Sequence, residues 1–267
     1  MKIRVPGSIA NLGPGVDILA MAVELWLEVE AEPAALPSWT FEGEGASLLS
    51  AGVNPLSRLR MRGRVRNGIP VGVGLGSSAA ARLAAAALRG VVDPFRTVAE
   101  EEGHPDNAAA AALGGVRLLA GGHVEELPPP PLEVALMVAH EPVATDLARR
   151  VLPAQVGWQD AVFNAGRTAW LVHALHSGRW DLLGAAMDDR LHQPQRRRLY
   201  PWVGPVLDAA RASSSLGAAV CGAGPSVFAF CAPGGGEAVA AAMAAAAAGR
   251  GRPLVTRVSP AGMGVEA

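Results

Sequence analysis

The sequence predicts an α+β fold built from two parts. Three observations carry that reading. Strand-like runs, alternating or β-branched, occur at 2–5, 25–30, 116–119, 133–139 and 253–258. Alanine-rich runs that read as helix lie among them, as at 79–88 and 237–248. A rigid, extended proline run at 128–131 marks the crossing from one part, 1–130, to the other, 131–267.

With 267 residues, half of them hydrophobic, the chain can bury the core of one large domain or of two packed ones. A net charge of -1 gives no reason to expect a nucleic-acid or membrane partner. Cys221 and Cys231 supply neither a disulfide framework nor metal-type spacing, so a reducing, cytoplasmic compartment is expected. The opening MKIRVPGSIANLG has no apolar signal-peptide core. The longest glycine-free apolar run, 238–248, is shorter than the ~20 residues of a bilayer span.

Taken in order, residues 2–5 begin a strand and 6–17, PGSIANLGPGVD, reads as a turn-rich loop. Strand residues follow, with LWLEVE alternating at 25–30. Asn11 and Asp17 therefore either point into a cleft or cap turns. The stretch 33–63 is poorly patterned, with one strand at 39–42 and a short helix. Arg60, Arg62, Arg64 and Arg66 alternate, as on a solvated edge strand.

The chain is organised around IPVGVGLGSSAAARLAAAAL, 69–88. Gly72, Gly74 and Gly76 break its first half, and Ser77 and Ser78 lead into a helix. A glycine loop feeding a helix start presents unpaired N–H groups and the positive end of the helix dipole, which suits phosphate. The pattern is neither a Walker loop nor G-x-G-x-x-G. H-E-x-x-H, C-x-x-C and G-x-S-x-G are absent from the chain.

Downstream, a helix over 93–103 ends in Glu100, Glu101 and Glu102. GHPDN, 103–107, opens the helix 108–113 and puts His104 and Asn107 on one face. Thr145 reads as an N-cap. Arg149 lies four residues on and can share a ligand with it, a carboxylate being the natural partner of arginine. Further helices are expected at 161–176, 182–189 and 203–213, and a basic turn at 192–198. LGAAVCGAGPSVFAFC, 216–231, reads as strand, glycine-rich turn and strand.

Three stretches, PGSIANLGPGVD, PVGVGLGSSAA and GAAVCGAGPSVFAF, match the motifs of the GHMP kinase superfamily in order and spacing. The likeness covers essentially the whole chain. SIANLGPG, GHPDN, Thr145 with Arg149, and Pro194-Gln195-Arg196 resemble the homoserine kinases in particular. The resemblance implies a two-subdomain GHMP kinase fold, with an N-terminal part like ribosomal protein S5 domain 2 and a ferredoxin-like C-terminal part. It implies ATP-dependent phosphorylation of the side-chain hydroxyl of L-homoserine on the route to threonine, with Mg²⁺. Alternatives are a superfamily kinase for another small alcohol and a non-catalytic metabolite binder. Members of the family are often dimers, so a homodimer is among the states it allows.

Position by position, the resemblance assigns ATP to Pro70, Val71, Gly72, Val73, Gly74, Leu75, Gly76, Ser77, Ser78, Ala79 and Ala80. Ser78 and Glu100 would ligate Mg²⁺, with Glu102 as the other acid. Asn11, Asp17, His104 and Asn107 would line the homoserine pocket, and Thr145, Arg149 and Arg196 would hold its amino-acid end. The catalytic positions implied are Asn11, Asp106 and Asn107, with Asp106 either a general base or a helix cap. Val16, Gln195 and Cys221 depart from the family pattern without removing a proposed ligand.

Overall fold

The computed structural model describes residues 1–52 and 54–266, apart from the side chain of Thr145. Strands β1 (Lys2–Asn11) and β2 (Gly15–Pro33) form a long antiparallel hairpin. The loop expected at 6–17 is therefore mostly strand, with only 12–14 left as the turn. Register shifts at Pro6/Gly7 and Ala10/Asn11 explain the difference. A bulge lets a strand pass a proline, which has no N–H to give.

The first sheet runs β11-β1-β2-β4-β3, with β3 at Ser38–Gly43, β4 at Met61–Asn67 and β11 at Gly264–Glu266. Strands β5 (Val116–Ala120) and β6 (His123–Leu127) extend it from β2. The arginine-bearing strand β4 is not an edge, as its pattern suggested, but lies between β2 and β3. Its positive face is matched by acids on its neighbours: Arg62 bonds Glu32, and Arg64 bonds Glu42 at 2.8 Å. Opposite charges on facing strands favour that pairing.

Helices α1 (Ala46–Ala51), α2 (Ser77–Leu88), α3 (Pro94–Glu102) and α4 (Asp106–Leu113) belong to this part, and α2 and α4 pack on β1 and β2. Alanine on the buried faces of α2 and α4 allows close approach to the sheet. Asp93 starts α3 by accepting the Arg96 N–H at 2.9 Å, with Pro94 in the first turn.

The second sheet is antiparallel, β10-β7-β9-β8, with β7 at Glu133–Ala139, β8 at Ser215–Val220, β9 at Val227–Cys231 and β10 at Gly251–Arg257. Its central strands are buried on both faces. Alternate residues divide between two cores. Leu136, Phe228 and Phe230 join Ile9, Leu19, Met21 and Leu83 in one cluster shared with the first sheet. Ala135, Met137, Val227 and Ala229 face α9 (Val203–Ala212) and α10 (Gly236–Ala246).

The remaining helices are α5 (Thr145–Arg150), α6 (Trp158–Ser177), α7 (Leu183–Ala186) and α8 (Gln193–Leu199). The helix expected at 182–189 is only a 3₁₀ turn, Trp180–Leu182, followed by α7. The basic turn expected at 192–198 is the helix α8. The Asp189 carboxylate accepts the N–H groups of Leu191, His192 and Gln193, which nucleates it. None of the helices, among the described residues, is long and apolar enough to cross a membrane.

Candidate active site

Residues from both halves of the chain, 10–107 and 143–224, line a cleft of about 310 Å³. Its floor is the glycine loop. The loop is docked on β1 through the Ser8 N–H, which donates to Leu75 O at 3.1 Å. It meets the β8–β9 turn where the Ser226 N–H reaches Val73 O at 3.4 Å. Gly74 and Gly76 have φ of 89° and 74°, the left-handed region where glycine carries no penalty. A methyl on Gly74 would overlap Cys221 O, and one on Gly76 would overlap the Ser8 hydroxyl. Helix α2 starts directly after Gly76 without a side-chain cap, so its first N–H groups face the cleft.

Of the positions assigned to ATP, Gly72, Gly74, Gly76, Ser77, Ser78 and Ala79 line the cleft. Val73, Leu75 and Ala80 turn into the core and support the loop instead. Pro70 and Val71 do not line the cleft.

The structure pairs Ser78 with Glu102, whose Oε1 accepts the hydroxyl at 3.0 Å. Glu101 and Glu102 line the cleft and Glu100, the expected acid, does not. Helical spacing is the reason: α3 turns its last residue toward α2 and leaves Glu100 on another face. Burial raises the Glu102 carboxyl above its ordinary pKa, opposed by the Ser78 bond and by nearby His104 and Arg82. A desolvated carboxylate beside a hydroxyl is a donor pair that suits a hard cation.

At the start of α4, Asp106 is buried and its Oδ1 accepts the Asn107 N–H at 2.7 Å. The same oxygen faces His104 Nδ1 at 3.3 Å. That bond raises the His104 pKa, with burial opposing it. Asn107 Oδ1 accepts the Ser8 hydroxyl at 2.9 Å, tying α4 to β1.

On the opposite wall, Asn11 (φ 76°) is buried and donates through Nδ2 to Gly222 O at 2.9 Å. Its Oδ1 accepts the Asp17 N–H at 3.3 Å. Asp17 is paired with Arg149 at 2.7 Å. Arg196 is 3% exposed and donates through Nη1 to Gly222 O at 2.5 Å and to His192 Nδ1 at 2.7 Å. Burial pulls its pKa down to about 10. The expected Thr145 side chain lies outside the described residues, and the N-cap of α5 is Ala144 rather than Thr145.

The C-terminal family of the GHMP kinases matches residues 171–249. A homoserine kinase of Moorella thermoacetica is 39% identical, over 86% of each chain. One of Thermus thermophilus is 38% identical, over 95% of this chain and 94% of that one. This chain belongs to the homoserine kinase family. A crystal structure of a homoserine kinase from Cytophaga hutchinsonii superposes with a TM-score of 0.85 at 28% identity, covering 100% of this chain and 97% of that one. The fold is thus the GHMP kinase fold of the homoserine kinase family, α+β as the sequence predicts.

Within this homoserine kinase fold, sequence reasoning missed His192. It is 1% exposed, and its Nε2 bonds Gly13 O at 2.6 Å while Nδ1 receives Arg196. These contacts fix the neutral tautomer with the proton on Nε2. Burial first, and then the charge of Arg196, lower its pKa to about 4. The i, i+4 spacing of His192 and Arg196 was the available signal, hidden because 192–198 read as a turn.

Proposed function

We propose that this protein transfers the terminal phosphoryl group of ATP to the side-chain hydroxyl of L-homoserine, giving O-phospho-L-homoserine and ADP. The new bond joins the hydroxyl oxygen to the γ-phosphorus, the bond from that phosphorus to the β-phosphate bridge breaks, and the hydroxyl proton leaves. One observation carries the reading. A glycine loop at a helix start and a wall bearing Asp17, Arg149 and Arg196 face the same cleft. The first suits phosphates. The second offers a carboxylate for an ammonium and guanidinium groups for a carboxylate.

Phosphoryl transfer demands chiefly positioning and charge stabilisation. The N–H groups at the start of α2 donate to the phosphate oxygens. Arg149 and Arg196 hold the amino-acid carboxylate, Asp17 holds the ammonium, and Asn11, His104 and Asn107 orient the chain that bears the hydroxyl. Asp106 lines the cleft and is the candidate to take the hydroxyl proton, although the same oxygen already serves its own helix. Ser78 and Glu102 would hold Mg²⁺, which when bound neutralises phosphate charge. The chain is read as two parts, 1–130 and 131–267, with the last residues returning to β1. An assay of ADP release over a panel of homoserine, serine, threonine, mevalonate and sugars tests the reading. Homoserine should be preferred, and turnover only with mevalonate or a sugar would sink it.

A further inference from the structure

A second cavity, of about 390 Å³, lies apart from the cleft and shares none of its lining residues. Arginines from four segments converge on it: Arg167 of α6, Arg190, Arg197 of α8 and Arg211 of α9. Two carboxylates, Asp188 and Asp189, also line it, and Asp160 and Asp208 outside the lining pair with Arg190, Arg197 and Arg211. Asp189 is not available to them. Its side chain is fully buried, and it accepts from Asn164 Nδ2 and from three backbone N–H groups at the start of α8. Asp188 faces Arg211 at 3.3 Å.

Apart from Arg167, the guanidinium groups are held by exposed ion pairs, Arg211 by both Asp188 and Asp208, and exposed pairs of this kind are weak. Arg167 lies over Phe163 at 4.7 Å and Trp170 at 5.4 Å and has no carboxylate within 4.0 Å among the described residues. Arg190 covers Phe163 at 3.9 Å and reaches Asp160 only at 3.4 Å. Arg197 meets Asp208 at 3.5 Å, while its buried Nε has no hydrogen-bond partner. Guanidinium forks match the oxygens of carboxylate and phosphate. The volume is that of a small-molecule site.

We propose that this cavity is a second ligand site, taking a small dianion that presents carboxylate or phosphate oxygens to Arg167, Arg190, Arg197 and Arg211. It is independent of the phosphoryl-transfer reading, since no residue of the cleft takes part.

Calorimetric titration of the full protein with inorganic phosphate and, separately, with succinate tests it. At least one anion should bind at millimolar concentration. Binding to phosphate alone identifies a phosphate-bearing ligand, and binding to succinate alone a dicarboxylate. The double substitution Arg167→Gln/Arg190→Gln should weaken binding at least about tenfold, and Arg211→Gln, on a different helix, should repeat the loss. The titrations are repeated with the cleft filled by saturating ADP and L-homoserine, and the binding should persist. No heat with either anion once the cleft is filled, or binding unchanged in the arginine variants, overturns the proposal.

Discussion

Arg149 on α5 and Asp17 on β2 hold each other across the cleft, Nη2 to Oδ1, at 2.7 Å. In the proposed function Asp17 takes the ammonium and Arg149 the carboxylate of one zwitterion. A zwitterion entering between them exchanges one ion pair for two. Both side chains are about two-fifths exposed, so their mutual attraction is modest and the exchange is easy.

Asp17→Asn should therefore raise KM for homoserine by about 10- to 100-fold, the worth of one hydrogen bond to a charged group. KM for ATP should stay unchanged. Steady-state kinetics with each substrate varied in turn checks this. Equal rises in both constants would point to a collapsed cleft instead of a lost ammonium contact.

Glu102 and Glu100 separate cleanly. Glu102→Gln should lower kcat roughly 100-fold by weakening charge stabilisation at the phosphates, and should raise the Mg²⁺ concentration needed for half-maximal rate. Glu100→Gln should behave as wild type. A Mg²⁺ titration of both variants decides the matter, and the reverse pattern would restore Glu100.

His192→Gln should raise KM for homoserine, because Arg196 loses the acceptor on Nδ1 that aims it. The same residue sets a pH dependence. The unfolded chain takes up the proton near its ordinary pKa of about 6.5, the folded chain only near 4. Below pH ~6.5 the unfolded state thus binds more protons, and stability falls as pH drops toward 4. Thermal melts across that window should show a shallower fall for His192→Gln than for wild type.

Gly76→Ala should cost at least about 1–2 kcal/mol from the left-handed backbone alone, with the added overlap at Ser8. A lowered melting temperature and a raised KM for ATP are expected. Gly90→Ala, whose added methyl meets nothing within 4 Å, isolates the backbone penalty at φ 73°.

The parts of this site that are legible in sequence are local. Gly72, Gly74 and Gly76 before an alanine helix announce a loop at a helix start, since glycine and helix propensity act over a few residues. Short, almost wholly apolar runs at 133–139 and 227–231, bounded by proline and glycine turns, announce buried strands. Long-range pairing is not written this way. The strand through Pro6 depends on bulges against β2, and the internal place of β4 depends on Glu32 and Glu42 on its neighbours. Helix α8 depends on Asp189, which precedes it, and an arginine-rich run masked that. The choice between Glu100 and Glu102 turns on how α3 is rotated against α2, a packing result.

The most direct measurement is phosphorus NMR of the purified protein with ATP, Mg²⁺ and L-homoserine. The account predicts loss of the γ-phosphate resonance of ATP matched one for one by a phosphate monoester signal of O-phospho-L-homoserine. That signal should be absent when homoserine is omitted or Arg196→Ala is used. ATP consumed with only inorganic phosphate released, or no ATP consumed at all, would contradict it.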